Sequence, residues 1–106
     1  MSQQFFDAAE VASLSPGTGR SIEVGGHRLA LFNVNGRFHA IDDDCPHRGG
    51  PLGAGWFEGC QVHCPLHGWA FDVTTGSCDV RPERPVRTHP VEIRGDRVWV
   101  AVTSKG

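Results

Sequence analysis

The chain reads as an all-β domain of small antiparallel sheets carrying a two-loop module, and three observations predict it. Short apolar or alternating runs rich in Val, Ile, Leu, Phe and Trp recur along the 106 residues, as in strands. Turn pairs separate them at Gly25-Gly26, Asn35-Gly36, Thr75-Gly76 and Gly95-Asp96, the rhythm of hairpins. Many of the fourteen glycines and seven prolines crowd into residues 45–68 and 81–90, which therefore cannot be regular sheet throughout.

Taken in order, the expected strands are Ser21 to Val24, Arg28 to Val34, Phe38 to Ile41, Cys60 to His63, Ala70 to Val73, Val91 to Arg94 and Arg97 to Val102. One short helix is expected from Ala8 to Leu14, capped by Asp7 and stopped by Pro16. The length accommodates one domain with a modest core. Residues 1–44 and 72–106 are expected to form its base, and residues 45–71 the irregular module projecting from it. No internal repeat or low-complexity tract interrupts this plan.

The formal charge of -2 gives no footprint for nucleic acid or an anionic membrane. Met1-Ser2-Gln3-Gln4 does not open a secretory signal, and no apolar run approaches a membrane span. These features lead to the expectation of a cytoplasmic protein, whose four cysteines are read first as ligands or buried thiols rather than disulfides.

Cys45-Pro46-His47 and Cys64-Pro65-Leu66-His67 are two pairs of metal ligands at short spacing, each mixing a thiolate with an imidazole. A proline follows each cysteine, and glycines (Gly49, Gly50, Gly68) lie just beyond each histidine, so both loops can curl and aim backbone N–H groups at an anionic centre. Zinc is one reading of a Cys2His2 set. Structural zinc sites, however, usually pair like ligands at each knuckle, whereas here each loop supplies one of each. A dinuclear cluster with two cysteines on one iron and two histidines on the other gives the mixed loops a purpose.

The pattern C-x-H, sixteen residues, C-x-x-H resembles the Rieske [2Fe–2S] family, here as Cys45-Pro46-His47-Arg48-Gly49-Gly50-Pro51-Leu52 and Cys64-Pro65-Leu66-His67-Gly68-Trp69. The resemblance continues through Phe71-Asp72, Thr75-Gly76, Pro90-Val91 and Gly95-Asp96. It implies the Rieske iron–sulfur fold and one [2Fe–2S] cluster per chain, with Cys45 and Cys64 on one iron and His47 and His67 on the other. Such a cluster carries less negative charge than an all-cysteine one and accepts an electron more readily, over about −150 to +300 mV. High-potential members have a serine and a tyrosine hydroxyl where this chain has Trp69 and Phe71, and a cysteine pair where it has Gly50 and Leu66. The chain has no tyrosine, and a midpoint near the low end, roughly −150 mV, is expected.

Among small soluble members, the resemblance is to the ferredoxins of bacterial aromatic-ring oxygenase systems. It implies a monomeric one-electron carrier between an NAD(P)H-dependent flavoprotein reductase and a terminal oxygenase, not itself an enzyme. No dinucleotide glycine fingerprint or two-histidine-one-carboxylate iron set argues otherwise. The alternatives are a small subunit of another oxidoreductase, such as a nitrite-reductase-like complex, and a redox-sensing or zinc-stabilised binding module.

The remaining candidates take plainer readings. Cys60 and Cys78 are expected to be reduced side chains on strands, and His27, His39, His63 and His89 surface or hydrogen-bonded histidines. Pro51, Leu52, Trp56 and Phe57 suit both core packing and shielding of a cluster. Asp42 to Asp44 and the arginines at 81, 84, 87, 94 and 97 read as solvated surface, with docking as the alternative. Arg94-Gly95-Asp96 reads as the turn of the last hairpin.

Overall fold

The computed structural model describes residues 4–46, 50–66 and 68–103. Among these residues ten strands form three antiparallel sheets. The first sheet joins β1 (Phe5–Glu10), β10 (Arg97–Ala101) and β9 (Val91–Arg94), in that order. The second runs β2 (Gly19–Val24), β3 (His27–Val34), β4 (Arg37–Asp42) and β8 (Thr88–His89), and the third β5 (Trp56–Glu58), β6 (Gln61–His63) and β7 (Ala70–Asp72). Among the described residues the only helical turns are 3₁₀, at Val11–Ser13 and Leu52–Ala54, and no helix is long and apolar enough to cross a membrane.

The architecture turns on β3. Its run Leu29-Ala30-Leu31-Phe32 is buried on both faces, because the second sheet lies between two cores. Leu29 and Leu31 face a cluster with Ala9, Val24, Val98 and Val100 beneath the first sheet. Ala30 and Phe32 face the other way, toward Ile41, Cys45, Leu52, Val62, Cys64 and Phe71. Alternation of side chains along one strand thus couples the base to the loops that bear both signature cysteines. Gly19, paired with Phe32, is required there, since a Cβ would stand 2.2 Å from the Phe32 ring.

All seven expected strands occur, with ends shifted by no more than two residues. The expected helix at Ala8 to Leu14 does not. Residues 8–10 belong to β1, paired with β10, and only Val11–Ser13 turns as 3₁₀. Asp7 caps nothing; it binds the Arg97 guanidinium at 2.8 and 3.0 Å across the sheet. Pairing with β10 and burial of Ala9 outweigh local helix preference. Strands β1, β5 and β8 were not expected, the last two being three and two residues long inside glycine- or proline-rich segments. Gly95, at φ 62, turns β9 into β10, so Arg94-Gly95-Asp96 is the hairpin turn.

Candidate metal centre

The two signature cysteines lie on loops built alike. Asp43, Asp44 and Cys45 run antiparallel to Gly50, Pro51 and Leu52 through Leu52 N–H to Asp43 O at 2.7 Å, the Asp44–Pro51 bridge and Cys45 N–H to Gly50 O at 2.9 Å. The second loop joins β6 to β7 and is closed by Cys64 N–H to Trp69 O at 2.8 Å. Each cysteine N–H therefore binds the carbonyl five residues on, and in the sequence each histidine of the motif stands between the two bonded residues. Gly68, at φ 77, donates its N–H to Cys64 O at 2.9 Å. His47 and His67 lie outside the described residues.

Cys45 and Cys64 are 2% and 3% exposed and belong to one buried cluster with Leu52, Val62 and Phe71. Neither forms a disulfide. The loops meet at Gly50, where a Cβ would be 2.8 Å from Cys64 Sγ and 3.0 Å from Leu66 Cγ. Gly50 and Leu66 are thus neighbours, and neither supplies a thiol. Two buried, unbridged thiols on loops that converge at a residue without a side chain fit a soft metal or an iron–sulfur group.

The surroundings sort the other candidates. Leu52 belongs to the same buried cluster as both cysteines, and Phe57 packs on Phe32 with ring centroids 4.9 Å apart, so both take part in core packing. Trp56 is instead 67% exposed and lies over the His63 ring at 5.2 Å. With Ala54, Gly55, Cys64, Pro65 and Gly68 these two line an open groove of about 520 Å³ beside the second loop. The Arg84 guanidinium reaches Pro46 O at 3.5 Å.

Cys78 is buried in the cysteine-bearing core and accepts the Arg81 N–H at 3.3 Å; Cys60 lies in the turn before β6, its Sγ 3.9 Å from Asp72 Oδ2. Both are free thiols, as expected, but neither lies within a strand. His27 is exposed, and the partial burial of His39 lowers its pKa despite the opposing charge of Asp72. His89 is buried, with Nδ1 accepting the Thr103 N–H at 2.9 Å and Nε2 2.9 Å from Asp42 Oδ1. An Nδ1 that accepts leaves the proton on Nε2, so His89 donates to Asp42.

The acidic run is where the surface reading fails. Only Asp44 is exposed. Asp42 binds His89 and the N–H and guanidinium of Arg87, and Asp43 is fully buried. Burial by itself would raise the Asp42 pKa, but these three donors override it and hold the carboxyl at about 2. Arg87 is accordingly a partner of a half-buried carboxylate rather than a free surface cation. Strand alternation carried two residues past Ile41 places residue 43 on the core face, a signal that was present in the sequence.

Comparison with known proteins agrees with this geometry. The model of the Rieske [2Fe–2S] domain matches residues 4–90. The chain is 35% identical over 101 residues to the ferredoxin component of a naphthalene 1,2-dioxygenase system from Pseudomonas aeruginosa, covering 94% of this chain and 97% of that one. It is similar to the ferredoxin seen in complex with the oxygenase of carbazole 1,9a-dioxygenase (TM-score 0.85, 33% identity, 94% of each chain). It is also similar to a protein from Mycobacterium tuberculosis described as the small subunit of an NADH-dependent nitrite reductase, with TM-score 0.89 and 26% identity over 99% of this chain and all of the other.

Proposed function

The chain belongs to the Rieske [2Fe–2S] domain family, and from that premise we propose that it is a one-electron carrier, taking electrons from an NAD(P)H-dependent flavoprotein reductase and delivering them to a terminal aromatic-ring oxygenase. The observation that carries this reading is the pair of buried, unbridged cysteine thiols on two similarly closed loops, in a chain spanning nearly the full length of oxygenase ferredoxins. In this reading Cys45 and Cys64 would hold one iron and His47 and His67 the other, and the group would supply storage for a single electron when bound. Residues 45–71 form the cluster-binding part and residues 1–44 and 72–106 the base of one domain.

The chain's own residues set the conditions for that chemistry. Leu52, Val62 and Phe71 exclude water from the cysteine side. Trp69 and Phe71 offer no hydroxyl to sulfur, which leaves the extra negative charge of the reduced state less stabilised and favours a low midpoint. The two imidazoles are expected to face the partner and to gain basicity on reduction, so the midpoint should fall with pH once the oxidised imidazoles ionise. The carrier itself transforms no organic substrate. We place it in the cytoplasm as a monomer, meeting its partners transiently.

The test has two parts. Purified protein should contain iron and acid-labile sulfide, and His47→Cys or His67→Cys should each lower the midpoint and weaken its pH dependence, because one imidazole remains. Offered reductases and oxygenases from the same source, it should support NAD(P)H-driven turnover of the aromatic substrate. Zinc without sulfide would instead indicate a zinc-stabilised module. A second functional reading rests on the likeness to the nitrite reductase small subunit, and electron delivery only to a nitrite-reducing partner would select it.

A further inference from the structure

Asp43 is fully buried two residues before Cys45. Its Oδ1 accepts the Ser21 hydroxyl from β2 and the Gly53 N–H from the second 3₁₀ turn, both at 2.8 Å, and its Oδ2 accepts Arg28 Nη2 from β3 at 2.9 Å. Its backbone carbonyl also takes the Leu52 N–H at 2.7 Å. One side chain thus ties both sides of the first ligand loop's stem to the β2–β3 hairpin. Gly53 permits the approach, since a Cβ there would be 2.3 Å from Ser21 N. Leu52, between these bonds, packs in the same buried cluster as Cys45 and Cys64.

The charge distribution is as informative as the bonds. The Asp43 carboxylate has no access to water, whereas the side chain of its cationic partner Arg28 is 57% exposed. Water screens the arginine more than the carboxylate, so the two charges do not cancel toward the protein interior, where Cys45 is buried. We propose that Asp43 is the positioning residue of the first ligand loop, and that its buried charge, partly offset by Arg28, opposes electron uptake there. This rests on the Rieske reading and adds a determinant of the midpoint that the missing hydroxyls do not account for.

The experiment compares holoprotein of the wild type with Asp43→Asn, Arg28→Met and Ser21→Ala, by midpoint voltammetry in neutral to alkaline buffer, metal content and thermal unfolding. Removing the negative charge should raise the midpoint, and removing the positive charge should lower it, each by a threefold or greater change in the reduction equilibrium. Ser21→Ala deletes a bond without changing charge, so it should lower the unfolding temperature and leave the midpoint in place. A purely structural role predicts that the charge variants move the midpoint alike or not at all, and either result overturns the proposal. So would a Ser21→Ala shift as large as that of Asp43→Asn. If Asp43→Asn does not fold, Arg28→Met still decides, because an unchanged or raised midpoint refutes the claim. Wild-type protein devoid of iron and sulfide would defeat the Rieske reading itself, an outcome separate from any difference among variants.

Discussion

Replacing Gly50 with alanine tests how closely the two ligand loops are fitted. The added methyl would stand 2.8 Å from Cys64 Sγ, 3.0 Å from Leu66 Cγ and 3.1 Å from Leu66 Cδ1. Relaxed non-bonded contacts between heavy atoms lie at roughly 3.5–4.0 Å, so one partner must withdraw by about 1 Å. Leu66 is 55% exposed and can swing into water. Cys64 is 3% exposed and tied through its N–H to Trp69 O at 2.8 Å, so its sulfur has little room to retreat. Overpacking of this kind costs about 1–3 kcal/mol, which corresponds to a roughly 5- to 150-fold weaker hold on whatever the thiolate ligates. The assay is the rate at which a chelator bleaches the visible colour of the anaerobic holoprotein. Gly50→Ala should bleach faster by a factor in that range, and adding Leu66→Ala should not restore the rate. Gly59→Ala is the control: its site is open space at φ 65, so it should cost about 1 kcal/mol of stability without affecting bleaching. Wild-type retention by Gly50→Ala, or full rescue by Leu66→Ala, would refute the claim that the Sγ contact is decisive.

Three other outcomes are expected. The Asp42 pKa is depressed from 3.8 to about 2, so its contribution is present above the unfolded value and lost as pH falls from 3.8 toward 2. With a discount for partial solvent screening, Asp42→Asn should lower stability by about 1–2 kcal/mol near neutral pH, and urea midpoints should show the gap closing in strong acid. Phe71→Tyr places a hydroxyl where none exists in a fully buried ring; voltammetry should show the midpoint rising by about 40 mV, the equivalent of roughly 1 kcal/mol for one electron. No shift would remove the hydroxyl explanation for a low midpoint. Phe32→Ala should cost about 3–5 kcal/mol by denaturant unfolding, because the ring is fully buried and packed on Phe57.

Local patterns carried much of the fold and of the candidate site. Strand runs and turn pairs are short-range signals, and the hairpins at Gly25-Gly26, Asn35-Gly36 and Gly95-Asp96 formed where those signals stood. The ligand motif was legible for the same reason: metal chemistry demands specific donor atoms at specific spacings, and Cys45 and Cys64 stand out before any folding is considered. Tertiary structure decided what depends on partners distant in the chain. Residues 8–10 became strand because β10 offered an edge, and Asp43 became a buried junction because Ser21, Arg28 and Gly53 converged on it. The exposure of Trp56 and the pairing of Asp42 with His89 and Arg87 likewise followed from packing. A charge or an aromatic ring has no fixed environment in a sequence; burial and hydrogen-bond partners acquire values only when the sheets come together.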